Sequence, residues 1–155
     1  MIELINFTKL SSSEKEMILE WRNDSSIRQW MFTQEPISLE SHLSYIDSLP
    51  LRKDRIYFLV KQDNIAIGVI DFTNIDMLHK TAEIGLYAKP ALKGVGTLLM
   101  QEIIHYAFQE LKINRLISEV FEHNHAAIKL YKKFDFKEIE KRQEIIVMEL
   151  KDENR

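Results

Sequence analysis

The chain has 155 residues, of which 45% are hydrophobic and 29% are charged, and its formal net charge is -3. This length suits one domain with one compact core, and the composition suggests neither a disordered chain nor a membrane protein. The net negative charge argues against broad nucleic-acid binding, and the absence of cysteine excludes disulfide bonds and a cysteine nucleophile.

The N-terminal third predicts one strand followed by helices. IELINFT alternates well enough for a first strand, and the opening MIELINFTKL does not resemble a secretory signal, so we expect a cytoplasmic protein. Ser11 and Glu14 have the spacing of a capping box, which predicts that a helix begins there. DSSIRQWMF predicts a short helix, and SLESHLSYIDSL predicts another.

After Pro50 the apolar period changes to that of strands. IYFLVKQDNIAIGVIDF predicts a hairpin, and KTAEIGLYAKP predicts a third strand. ALKGVGTLLM then begins a broadly apolar helix that extends to about Leu111. After this helix, RLISEV predicts a strand, NHAAIKLYKKF predicts a helix, and FKEIEKR and EIIVMEL predict two more strands. The pattern predicts one α/β domain with a mixed sheet over residues 1–150, followed by a charged tail of residues 151–155.

Gly94 and Gly96 lie two residues apart at the start of the long helix. A strand, a glycine turn and a helix N-terminus together form an anion site. A Walker A loop is excluded because Thr97 and Leu98 follow Gly96, and a dinucleotide fingerprint is excluded because Leu99 stands where glycine or alanine is needed. Without its neighbours, the glycine pair is equally consistent with a tight turn before a helix.

Three segments in order, EIGLYAKP, ALKGVG and EVFEHNHAAIKLYKKFDF, resemble the GNAT family of acetyl-CoA-dependent N-acetyltransferases over nearly the whole chain. The resemblance implies the GNAT fold, a twisted and mostly antiparallel sheet of about seven strands with splayed strands at the cofactor site. It implies that the backbone of Leu86, Tyr87 and Ala88 binds the pantetheine arm of acetyl-CoA. It also implies that the pyrophosphate binds backbone amides of Lys93, Gly94, Val95, Gly96 and Thr97.

Two positions depart from the family pattern. Members usually carry Gln or Arg three residues before the first glycine, where this chain has Ala91. We therefore expect the main chain, aided by Lys93, to hold the pyrophosphate. Asp135 replaces a family glycine, and Asp accepts left-handed turn geometry better than most residues do.

The same resemblance assigns catalytic candidates. Tyr131 is implied to be the general acid for the coenzyme A thiolate, although helical spacing alone would also suit a packed core tyrosine. Glu83 and Glu119 are expected near the junction of the splayed strands, either as base candidates or as solvent-facing carboxylates. Asn124 is expected to contact the cofactor or to cap the following helix. The family transfers acetyl directly in a ternary complex, so no covalent intermediate is expected.

A metal site is not expected. His123 and His125 alternate in a way that suggests metal ligands, but the sequence shows no third ligand and the segment belongs to the family motif.

The segment EWRNDSSIRQWMF resembles a branch of the family that contains ribosomal-protein and nucleotide-sugar acetyltransferases. Within that branch the chain resembles enzymes of pseudaminic acid biosynthesis, which acetylate the 4-amino group of a UDP-linked 4-amino-4,6-dideoxy sugar. Arg22, Arg28, Trp30 and His42 are accordingly expected to bind the acceptor, because arginine suits a diphosphate and an aromatic ring can stack on uracil. The alternatives are a core tryptophan, solvated arginines and a surface histidine.

Two other functions stay open. An N-terminal protein acetyltransferase would need a cleft that admits a peptide, whereas a non-catalytic acyl-CoA sensor would need neither Tyr131 nor a base. Unpaired strand edges would also allow a homodimer.

Overall fold

The computed structural model describes residues 1–152, which form a seven-stranded sheet with helices on both faces. The strands are β1 Ile2–Asn6, β2 Ile56–Gln62, β3 Ile65–Asp76, β4 Thr81–Ala88, β5 Arg115–Phe121, β6 Lys137–Arg142 and β7 Ile145–Lys151. The helices are α1 Ser12–Asn23, α2 Ser25–Arg28, α3 Leu39–Ser48, α4 Gly96–His105 and α5 His125–Lys133. Every predicted strand and helix is present.

The strand order across the sheet is β1-β2-β3-β4-β5-β7-β6. All neighbouring strands run antiparallel except β4 and β5, which are parallel. These two pair only over residues 81–83 and 115–117, although β4 continues to Ala88. The strands therefore separate beyond Glu83, which confirms the mixed, mostly antiparallel sheet with a splayed pair.

Local sequence signals fix the start of α1 and the hairpin turn. The Ser11 hydroxyl accepts a hydrogen bond from the Glu14 amide at 3.2 Å, and the Glu14 carboxylate accepts one from the Ser11 amide at 2.9 Å. This is the predicted capping box. Asp63 and Asn64, between β2 and β3, have φ of 51° and 68°, as a tight hairpin requires.

Two apolar cores lie on opposite faces of the sheet. The core beneath α4 and α5 includes Phe58, Ile70, Phe72, Ile84, Leu99, Ile103, Leu116 and Met148. The core beneath α1, α2 and α3 includes Phe7, Ile18, Trp21, Ile27, Ile46, Leu59 and Val69. Trp21 is thus a core residue.

The structure shows where two predicted segments end. After α4 the chain continues as one π-helical turn, Tyr106–Glu110, in which the Leu111 amide donates to the Tyr106 carbonyl at 2.9 Å. Lys151 is the last residue of β7 and not the first residue of the predicted tail. Residues 153–155 of that tail lie outside the described residues.

Gly68 sets the spacing between β3 and β4. A Cβ atom there would lie 2.6 Å from the Tyr87 carbonyl oxygen and 2.9 Å from Leu99 Cδ1. Gly68→Ala is therefore expected to force the two strands apart and to lower the free energy of unfolding by about 3 kcal/mol, as measured by urea denaturation. Gly96→Ala is the control, because its Cβ would approach nothing closer than 3.4 Å. Equal stability of the two variants would contradict this packing.

Candidate active site

A cavity of about 830 Å³ opens where β4 and β5 separate. It is bounded by these strands, by the glycine loop before α4, by α5 and by the segment around α2. The predicted site residues that line it are Trp30, Glu83, Leu86, Tyr87, Ala88, Gly94, Gly96, Thr97, Glu119, Asn124 and Tyr131. The structure thus brings together residues from most of the predicted motifs.

The glycine loop leads directly into α4. Gly94 has φ of 85° and open space where a Cβ would lie, so this position favours glycine. The N-cap residue of α4, Val95, has no side chain that can bond the first helical amides, which suits an anion at this end. Lys93 is exposed and Val95 packs against the core beneath α4, so neither side chain lines the cavity.

Lys133 brings a positive charge to this loop. Its ammonium group donates a hydrogen bond to the Thr97 hydroxyl at 2.9 Å. The sequence indicated only Lys93 for this purpose. Lys133 could not be found from the sequence, because its contact joins residues 36 positions apart. The Lys133 ammonium group therefore lies near the glycine loop, in which Ala91 replaces the Gln or Arg that is usual in the family.

Tyr131 is buried at the cavity, and its hydroxyl accepts a hydrogen bond from the Ser118 hydroxyl at 2.7 Å. Its ring packs on Phe136 with centroids 5.2 Å apart. Burial raises the pKa of Tyr131 to about 12, while the Ser118 hydrogen bond acts in the opposite direction. Tyr131 is therefore a protonated phenol at neutral pH.

Three carboxylates line the cavity. Glu83 accepts a hydrogen bond from the Asn74 amide at 3.0 Å, and Glu119 forms an ion pair with Arg142. The third, Asp71, was missed by sequence reasoning because it ends the apolar run of a strand and has no motif around it. Burial raises the pKa of Asp71 to about 7. The three groups therefore differ in their partners.

Trp30, Phe32, Phe121 and His123 form a contiguous aromatic cluster, here called the aromatic wall, of which Trp30 and Phe32 line the cavity at its α2 side. The Trp30 and His123 ring centroids lie 5.3 Å apart, and His123 lies 5.5 Å from Phe121. Phe32 packs edge-on against Phe121 at 5.0 Å and is 55% exposed. The sequence indicated Trp30, whereas Phe32 carries no signal beyond its nearness to it.

Three residues predicted to bind the acceptor do not line the cavity. His42 is 8% exposed, and its Nε2 donates to the Lys15 carbonyl at 2.8 Å, which joins α3 to α1. Arg22 donates to the Thr33 carbonyl at 3.2 Å, and Arg28, the last residue of α2, is half-buried. His42 and Arg22 thus make contacts within the helical layer, and acceptor binding by Arg22, Arg28 and His42 stays a prediction.

Membrane-spanning helices and clustered metal ligands are both absent from residues 1–152. No helix in this part of the chain combines the length and the apolar character needed to cross a membrane. The same residues contain no group of three or more His, Asp or Glu side chains that could hold a metal ion.

Known proteins match both the sequence and the fold. A family model described as an acetyltransferase (GNAT) domain matches residues 5–137. The chain is 52% identical over 136 residues to the acetyltransferase PseH of Campylobacter jejuni strain 81-176, covering 88% of this chain and 85% of that protein. It is 27% identical over 128 residues to a putative ribosomal N-acetyltransferase, YdaF, of Bacillus subtilis, covering 74% and 67% of the two chains.

The crystal structure of Campylobacter jejuni N-acetyltransferase PseH in complex with acetyl coenzyme A superposes with a TM-score of 0.84 at 44% identity, over 97% of this chain and 99% of that one. Spermidine N-acetyltransferase from Vibrio cholerae superposes with a TM-score of 0.86 at 20% identity, over 99% and 96% of the two chains, which shows a shared fold only. The chain belongs to the GNAT family and is an acetyl-CoA-dependent N-acetyltransferase.

Proposed function

We propose that the protein transfers acetyl from acetyl-CoA to the 4-amino group of a UDP-linked 4-amino-4,6-dideoxy-N-acetyl-hexosamine, of the β-L-altrosamine type, in pseudaminic acid biosynthesis. The observation that carries the proposal is one cavity that contains the splayed strand, the glycine loop, Tyr131 and the aromatic wall residue Trp30. The 52% identity to PseH supports this acceptor over a peptide.

Acetyl-CoA would lie along the splayed part of β4. Backbone groups of Leu86, Tyr87 and Ala88 have no partner strand on the β5 side and can pair with the pantetheine arm like an added strand. The pyrophosphate would bind the amides of residues 93–97, with the Lys133 charge beside them. Asn124 caps α5 through a 3.2 Å hydrogen bond from the Ala127 amide, and it faces the same cavity.

Tyr131 would act on the departing sulfur. A free thiol has a pKa of about 8.5, and the Tyr131 phenol titrates at about 12, so complete proton transfer to a free thiolate would cost about 5 kcal/mol. The phenol is thus suited to donate a hydrogen bond to the sulfur as the C–S bond breaks. It can pass its proton to the sulfur only when another group gives the phenol a proton in return. Transfer would be direct, within a complex that holds both substrates.

The aromatic wall is suited to the acceptor. Flat aromatic surfaces stack on uracil or on the apolar face of a sugar. Glu83, at the same cavity, would attract an ammonium group, whereas the charge of Glu119 is offset by its ion pair with Arg142. We propose that the enzyme acts in the cytoplasm. A second copy would pair with the open edge of β1 or β6 in a homodimer.

A comparison of acceptors tests this function. The protein is incubated with acetyl-CoA and either the UDP-linked 4-amino sugar or free N-terminal peptides, and thiol release is followed. We expect sugar-dependent release, and we expect Trp30→Ala to raise the KM for the sugar about tenfold while the acetyl-CoA affinity stays unchanged. Turnover of peptides alone would favour a protein acetyltransferase, and acetyl-CoA binding without turnover would favour a sensor.

A further inference from the structure

Asp71 occupies a place in the sheet that directs its carboxylate to the acceptor side. Val69 belongs to the core beneath α1–α3, and Ile70 and Phe72 belong to the opposite core. Because side chains alternate along a strand, Asp71 faces the α1–α3 layer, in which Trp30 follows α2. It also lines the cavity, so its carboxylate lies on the side where the acceptor is proposed to enter.

Gly85 makes room for this carboxylate. Asp71 of β3 lies directly opposite Gly85 of β4. A Cβ atom at Gly85 would lie 2.7 Å from Asp71 Oδ2, so a larger residue would push the carboxylate away. The absence of a side chain at Gly85 allows Asp71 to lie over β4, the strand proposed to bind pantetheine.

Asp71 differs from the other two acids of the cavity in having no partner. The Glu83 carboxylate is occupied by Asn74, and the Glu119 carboxylate by Arg142. Within residues 1–152, no hydrogen bond or ion pair reaches the Asp71 side chain. Asp71 is only partly exposed, so its carboxylate has lost part of its hydration without gaining a partner, and an arriving cation would relieve that cost.

Titratable groups from four elements, β2, β4, α5 and α1, surround Asp71. The groups that face it or its immediate neighbours are Arg55 and Tyr57 at β2, Glu83 and Tyr87 on β4, Tyr131 on α5 and Arg22 on α1. Burial raises the pKa of Asp71 to about 7, Arg55 acts to lower it, and Glu83 acts to raise it. Arg55 is itself engaged by the Tyr45 hydroxyl at 2.8 Å. Near neutral pH the carboxylate can therefore both attract an ammonium group and accept a proton from it.

We propose that Asp71 is the catalytic base that takes a proton from the acceptor ammonium group. This inference rests on the proposed N-acetyl transfer. The ammonium group gives one proton to Asp71, and the neutral nitrogen then forms the N–C bond with the thioester carbonyl. The C–S bond breaks, and Tyr131 passes its proton to the sulfur. The second proton of the nitrogen replaces the proton that Tyr131 has lost. Asp71 then returns its proton to water. The products are the amide, free coenzyme A and one proton.

The test compares Asp71→Asn with Asp47→Asn, the same substitution at an exposed position of α3. For wild type and the control, kcat/KM is expected to rise through about pH 7. For Asp71→Asn we expect kcat/KM about 100-fold lower at pH 7, no inflection there, and partial recovery at higher pH as the free amine appears. Acetyl-CoA affinity, measured by calorimetry, is expected to be equal in all three proteins.

The experiment uses the UDP-linked 4-amino sugar and the N-terminal peptides, and the variants are compared on whichever amine the wild-type protein acetylates. Turnover of peptides alone overturns the proposed acceptor and leaves the Asp71 comparison valid. A wild-type rate and pH profile in Asp71→Asn overturns the role of Asp71, and turnover of no amine overturns both. Asp71→Ser, which is expected to show the same profile, replaces the Asn variant if that protein does not fold.

Discussion

Tyr131→Phe is expected to lower kcat by about 100- to 1000-fold while leaving the affinity for acetyl-CoA unchanged. The substitution removes only the hydroxyl group, and the ring can keep its packing on Phe136. In the proposed mechanism, the sulfur would then lose the hydrogen bond that stabilises it as the C–S bond breaks. Steady-state kinetics together with direct binding of acetyl-CoA separate the loss in rate from a loss in binding.

Ser118→Ala is the matched control for this prediction. It removes the hydroxyl that donates to Tyr131 at 2.7 Å but leaves the phenol in place. The Ser118 hydrogen bond lowers the phenol pKa, so its loss makes Tyr131 a weaker acid, and we expect only a several-fold decrease in kcat. A phenylalanine variant as active as wild type, or one that has lost acetyl-CoA binding, would contradict the assigned role.

Asp71 is also expected to make stability depend on pH. Its pKa of about 7 in the folded protein lies above the ordinary value of 3.8. Between these values the folded protein holds a proton that the unfolded chain has lost, so the contribution of Asp71 to stability falls as pH rises from about 4 to about 7. The full difference is up to about 4 kcal/mol above pH 7.

Urea unfolding of wild type and Asp71→Asn at several pH values measures this contribution. The difference in free energy of unfolding between the two proteins is expected to grow in favour of the Asn variant up to about pH 7 and then to level off. Asp47→Asn is expected to show no such trend. A difference that is constant with pH would show that the Asp71 carboxylate titrates in its ordinary range.

The opposite effects of Asp71→Asn on rate and on stability follow from one cause. A partly desolvated carboxylate without a partner destabilises the folded chain and at the same time binds a proton more readily than an exposed carboxylate does. If Asp71 served only to hold β3 and β4 together, its substitution would lower the free energy of unfolding of the protein. The two measurements therefore distinguish a functional carboxylate from a structural one.

The parts of the fold that could be predicted depend on local patterns. The capping box of Ser11 and Glu14, the hairpin before β3 and the glycine turn before α4 each require particular residues within a few positions. The splayed strands followed from family resemblance and are confirmed by the short pairing of β4 with β5. Asp135 adopts φ of 70°, which agrees with its replacement of a turn glycine.

The parts of the site that could not be predicted depend on contacts between distant segments. Lys133 reaches Thr97 from another helix, and Gly85 on the neighbouring strand leaves room for the Asp71 carboxylate. Neither pair has a fixed spacing along the chain. His42 was predicted to bind the acceptor from its residue type, and the sequence could not show that its Nε2 also bonds the Lys15 carbonyl.

The most direct test of the function is to incubate the protein with acetyl-CoA and the UDP-linked 4-amino-4,6-dideoxy-N-acetyl sugar and to identify the product by NMR. We expect an amide at the 4-nitrogen of the sugar, formed in step with the release of coenzyme A. An unchanged sugar, from protein that acetylates an N-terminal peptide under the same conditions, would contradict the proposed function.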